Sequence, residues 1–214
     1  MVLLALPMAL AAGCGGSTTP APTKAAAPAA SLSSGASAGP SATSAATGAA
    51  AQKPVPAENT PPGDIPDSVA YLPYTNTAGR YSFTHPEGWS ELTRGTTATF
   101  TDKLNGVQAV VGSDTVPPTL DTAKQRDVPA LTRSQLAFEL RSISAVSLPG
   151  GTGVLIVYRR NSAPDPVTGR QYRDEVQRYE LVHAGREVNV ELFGPVGADN
   201  ADAYRRMIQS MRIA

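Results

Sequence analysis

Two histidines stand in a chain of 214 residues, and each has neighbours that could turn it to chemistry. His85 and Glu87 lie two apart in the run Tyr81-Ser82-Phe83-Thr84-His85-Pro86-Glu87-Gly88-Trp89, so on extended backbone both side chains leave the same side. With Asp102 from a neighbouring turn they would offer one imidazole and two carboxylates to a divalent cation. The competing reading is a turn shaped by Pro86 and Gly88, with Trp89 plugging the core. His183 stands just ahead of Ala184-Gly185, and Ser142 or Ser144 would give it a nucleophile if the fold brought them together. The chain has no G-x-S-x-G elbow to expose such a serine, and a solvated hairpin histidine is the simpler account. Gly150-Gly151-Thr152-Gly153 lacks the lysine and the following helix of a phosphate loop.

Two polar loops are candidate recognition surfaces. One runs from Asp165 to Arg170; the other, Gly194 to Asn200, carries Asp199 and Asn200 into a final helix whose first amides could receive an anion. Most such loops only turn the chain, and the paired Arg159 and Arg160 read as a solvated strand end.

The single cysteine, Cys14, follows an apolar run from Val2 to Leu10 and the small residues Ala11, Ala12 and Gly13. That run is too short for a membrane-spanning helix and reads as a signal peptide over residues 1–13. Leu10-Ala11-Ala12-Gly13-Cys14 resembles a lipobox, with leucine four rather than three places before the cysteine. The expectation is a thiol acylated at Cys14 that anchors the chain to the extracytoplasmic face of a bacterial cell membrane. A basic start to the leader is missing, so the true initiation site is expected upstream. One cysteine also rules out an internal disulfide.

From Cys14 to residue 65 the sequence is nearly all Ala, Ser, Thr, Pro and Gly, a composition expected to stay disordered because it buries too little apolar surface. Residues 66–214 change to Val, Leu, Ile, Tyr and Phe mixed with Arg, Asp and Glu, enough for one core. Lysine plus arginine and aspartate plus glutamate number 18 each, which argues against nucleic acid as a partner. Abundant arginine, alanine, glycine and proline suggest a GC-rich genome such as an actinobacterium's.

Within 66–214 most of the pattern has period two. Expected strands are Arg80–Thr84, Thr96–Thr101 and Val107–Ser113, the last two joined by an Asn105-Gly106 turn. A helix over Thr119–Val128 should stop at Pro129. Phe138–Ser147, Thr152–Arg160, Gln171–Val182 and Glu187–Phe193 make an antiparallel meander, in which Val154 to Tyr158 is apolar on both faces and reads as a central strand. Asp199 would cap a last helix whose Ala201, Tyr204, Met207, Ile208 and Met211 form a buried stripe.

The Tyr81–Trp89 run resembles the aromatic, proline, glycine and tryptophan signature that opens domains of the Mog1/PsbP-like fold, among them the LpqN-like lipoproteins. The order of elements from Ala78 onward agrees. The resemblance implies an α+β fold, an antiparallel sheet flanked by helices in an α/β/α sandwich. It also implies a non-enzymatic binding or adaptor role without naming the partner; another envelope protein or a wall or lipid component is expected there, and no cofactor. The alternative is an envelope hydrolase or metal-dependent enzyme using His85 or His183.

Overall fold

The computed structural model describes residues 52–58 and 63–214. The signal-peptide reading, Cys14 and most of the Ala/Ser/Thr/Pro-rich stretch lie outside them. Among the described residues, ten strands form two antiparallel sheets. The smaller has the order β1 (Tyr71–Asn76), β2 (Tyr81–Pro86) and β10 (Arg212–Ile213). The larger runs β3 (Ser90–Arg94), β4 (Thr97–Asp102), β5 (Asn105–Val111), β9 (Arg186–Pro195), β8 (Arg173–His183), β7 (Gly151–Asn161) and β6 (Glu139–Leu148). This is an α+β fold, and the meander expected from alternating hydrophobicity is its β6 to β9 half.

Period two sends alternate residues of β8 and β9 to opposite faces. On one face Tyr179, Leu181, Val188, Val190 and Leu192 meet Tyr81 and Phe83 of the small sheet and the stripe of α3 (Ala201–Ser210). That layer is therefore helix plus sheet. On the other face Val154, Ile156, Tyr158 and Val176 pack against Ala123 and Leu131 of a helical arm. The arm comprises α1 (Leu120–Thr122), a π-helical turn (Ala123–Asp127) and α2 (Val128–Ser134). The run through Val154 does belong to a strand paired on both sides, although β7 lies next to the edge strand β6 and not in the middle.

Several expectations are corrected. Pro129 does not end the helix: the amide of Val128 bonds back five residues to Ala123, and the register slip lets Pro129 start a new α-helix where its missing N–H is harmless. The β4–β5 turn is Lys103-Leu104, with Lys103 in the left-handed region at φ 52°, while Asn105 and Gly106 open β5. Gly106 is needed for close approach, since a Cβ there would sit 2.1 Å from the Phe193 ring. Strands β1, β3 and β10 went unseen: Pro73 interrupts the pattern of β1, β3 is exposed along its length, and β10 has two residues. The proline is tolerated because β1 is an edge strand.

Residues ahead of position 66 also bond to the sheets. Ile65 is buried in the larger core, and its amide donates to the Asn200 Oδ1 at 2.8 Å. Further back, Gln52 to Glu58 lies against the ends of β7 and β8 through the hydrogen bonds described below. Composition hid this, because the attachment uses backbone groups and side-chain amides instead of apolar area.

Candidate functional site

The arm-side face of the large sheet is apolar only over part of its width. Asp174, Arg178 and Glu180 of β8 and Glu187, Asn189 and Glu191 of β9 share the parity of Val176 and Phe193, so they project under the arm. Arg178 stands opposite Glu191 and donates to Glu180 Oε1 at 2.8 Å and to Glu191 Oε1 at 2.9 Å. Glu191 also accepts from the Tyr158 hydroxyl at 3.1 Å and from Arg160 at 3.2 Å. Arg160 donates to Gln135 at 2.9 Å and lies 5.2 Å from the Phe193 ring centroid. Charges taken this far from water persist only when paired and hydrogen-bonded, and this ladder meets both conditions along most of its length.

Its two ends are less well satisfied. Burial pushes the Asp174 carboxyl up to about 7 although Arg160 stands 3.8 Å away. At the other end burial raises Glu180, Arg178 opposes the rise, and the neighbouring Asp127 of the π-turn adds to it. Glu180 Oε2 and Asn189 Oδ1 are buried without a hydrogen-bond partner among the described residues. Beside them opens a cavity of about 240 Å³ that Arg126 and Glu187 also line.

The Asp174 end opens into a cleft of about 540 Å³. It is lined by Phe193, the Lys103-Leu104 turn, the end of α2 and the loop from β7 to β8. Lys103, Arg160 and Arg170 contribute positive charge, with Asp165 and a readily protonated Asp174 against them. Leu104, Leu136 and Tyr172 supply apolar surface. Such a mixture suits a ligand with an apolar body and an anionic group.

The histidines stand elsewhere. The His85 ring is buried, 4.0 Å from the Phe100 centroid in a stacked arrangement, and its Nδ1 lies 2.9 Å from the Pro86 carbonyl. Glu87 and Asp102 line a different cavity of about 510 Å³ together with the half-buried Trp89, and His85 is not in its wall. Among the described residues no three His, Cys, Asp or Glu side chains converge on a metal-sized space. His183 is exposed at the end of β8, whereas Ser142 and Ser144 are exposed on β6, with β7 between the two strands. In register Ser144 sits opposite Leu155, which pairs with Tyr179, four residues short of His183. About 13 Å along the strand therefore separates them, and the fold does not assemble the pair.

Each loop candidate also bonds within the chain. Asp165 accepts from the Val167 and Thr168 amides and the Thr168 hydroxyl, and these bonds hold its carboxyl below the usual range. Arg170 pairs with Glu58. Asp199 is not the helix cap. Its amide donates to Asp64 Oδ1 at 2.9 Å, and the cap position falls to Asn200. Asn200 turns its side chain inward instead, donating to Asn105 Oδ1 at 2.9 Å and to Gly63 O at 3.2 Å. Sequence reading missed Phe193, Asp174 and Arg160 as site residues, because nothing in a strand's own pattern says which alternate positions lie at the uncovered end of a sheet.

No protein-family model matches the chain, and no curated protein matches it. Solved structures similar to it include the cyanobacterial PsbP of Synechocystis sp. PCC 6803, at 16% identity over 71% of this chain and 98% of that one, with a TM-score of 0.45. The Ran-binding protein Mog1p of Saccharomyces cerevisiae matches at 13% identity over 68% and 96%, with a TM-score of 0.44. A Bacteroides thetaiotaomicron protein matches at 14% identity over 66% of this chain, with a TM-score of 0.41, and the alignment spans 48% of its length.

Proposed function

We propose that the chain is an extracytoplasmic lipoprotein of an actinobacterial-type cell envelope, anchored through Cys14, whose domain is a non-enzymatic binding module. The observation that carries the binding role is the 540 Å³ cleft, whose lining brings Phe193 and Tyr172 together with Lys103, Arg160 and Arg170. Its partner is an envelope component that offers an apolar group beside an anionic one. The anchor rests on the Leu10–Cys14 motif at the end of a short apolar run. Diacylation at about 0.8 kcal/mol per buried methylene would hold the chain at a bilayer.

The two parts are tested separately. Cys14→Ser is expected to move the protein from the membrane fraction to the soluble one or leave it unprocessed; intact mass showing an unacylated Cys14 in the wild type would end the anchor proposal. For the cleft, a photoreactive amino acid at Leu136 should capture a discrete envelope partner in intact cells, and Arg160→Ala should reduce capture at least fivefold. Equal capture by both chains would mean that the cleft is not the docking point.

A further inference from the structure

Asn161 ends β7 and is 1% exposed, yet most of its side-chain bonding is to a segment more than a hundred residues earlier. Its Oδ1 accepts the Val55 N–H at 3.0 Å, and its Nδ2 donates to the Lys53 carbonyl at 2.8 Å. A carbonyl at one residue and an N–H two residues later are the groups that a parallel neighbouring strand engages, so the carboxamide takes the place of a strand residue opposite Pro54. Pro54's own nitrogen is not one of the groups engaged. Its lack of a proton costs the pairing nothing, and its restricted φ favours an extended backbone.

Neighbouring side chains read the flanks. Gln52 donates to Gln171 Oε1 at 2.7 Å, and its own Oε1 accepts from Gln171 at 3.3 Å and from Asn161 at 3.1 Å. Glu58 pairs with Arg170, whose guanidinium lies 4.9 Å from the Tyr172 ring centroid. From behind, Arg173 donates to Asn161 Oδ1 at 3.2 Å, to the Ala137 carbonyl at 2.8 Å and to Glu139 at 2.8 Å. That guanidinium holds the carboxamide in its orientation. Emptied of Lys53 and Val55, the carboxamide would lose both backbone partners, so the arrangement is that of a binding site with its ligand in place.

We propose that Asn161, Gln171 and Arg170 form a recognition site for an extended polypeptide with a proline, a glutamine ahead of it and an acid behind it, and that Gln52–Glu58 of the same chain is the resident ligand. Main-chain groups carry much of the recognition, as in strand addition, so an equivalent segment supplied from outside binds when the resident one is displaced. Covalent linkage gives the resident segment an effective concentration in the millimolar range, and it excludes competitors in the intact chain. Asn161 and Arg170 also line the 540 Å³ cleft, but the site stands whatever the cleft binds.

The test uses the full chain and a fluorescent heptapeptide with the sequence of residues 52–58. Val55→Pro deletes the N–H that Asn161 accepts, and the variant should bind the peptide saturably, at least tenfold more tightly than the wild type does. A second peptide with proline at the Val55 position should not bind the same variant, a comparison that leaves the protein unchanged between the two arms. Absence of binding to the variant, equal binding to variant and wild type, or equal binding of the two peptides would each overturn the proposal. Amide exchange on the wild type gives an independent reading. The Val55 amide should exchange at least tenfold more slowly than that of the exposed Ala57, and equal rates count against the site.

Discussion

Arg178 lies between two carboxylates beneath the helical arm, and removing it would leave Glu180 and Glu191 facing each other in a poorly solvated space. Breaking a buried pair from one side costs about 3 kcal/mol or more, whereas replacing a whole ladder by apolar groups can cost nothing. Arg178→Met should therefore lower stability by about 3 kcal/mol in urea titration, and a loss under 1 kcal/mol would show the ladder to be solvated. Asp174 gives a pH signature. Because its pKa in the fold is raised to about 7, the stability it contributes is full below its ordinary value of 3.8 and is lost as the pH climbs through about 7. Melting temperature should fall between pH 5 and pH 8 (about one to two units either side of that range's midpoint) more steeply in the wild type than in Asp174→Asn. Matching slopes would remove Asp174 as the cause. None of this was visible from residue type, since Asp174 and Glu175 look alike in sequence and only one is buried.

At the scale of elements, the arm shows how a local rule yields to a local alternative. A proline inside a helical pattern predicts a stop, yet one residue of π-register lets Pro129 open a fresh helix, and the arm reaches Ser134. The strand rule fared better wherever a strand had strong alternation and failed where exposure or brevity erased it, as in β3 and β10. Strand β7 also carries a constraint that periodicity does not express. A Cβ on Gly153 would come within 1.8 Å of the Glu180 carbonyl oxygen across the sheet. Gly153→Ala should cost roughly 3 kcal/mol, in the range of overpacked cores, and a near-neutral effect would mean that β7 and β8 can separate locally.

At the scale of the molecule, two cores of the described residues share one sheet, the larger under α3 and the small sheet and the smaller under the arm. Trp89, the only tryptophan, is half-buried against the larger core. Thermal or urea unfolding should shift its emission to the red in one sigmoidal step that coincides with loss of far-UV ellipticity. An earlier ellipticity change without a tryptophan change would mean that the arm side melts on its own. The sequence by itself determined the antiparallel meander and the apolar stripe of α3, because spacings of two and of three to four residues bury one side of an element whatever lies opposite. Only the tertiary structure decided which alternate residues became a charged ladder, that the His85 ring stacks on Phe100, and that Lys53 and Val55 bond to the domain through Asn161. Those outcomes depend on groups brought together from distant parts of the chain, and neither spacing nor composition encodes who the neighbour will be.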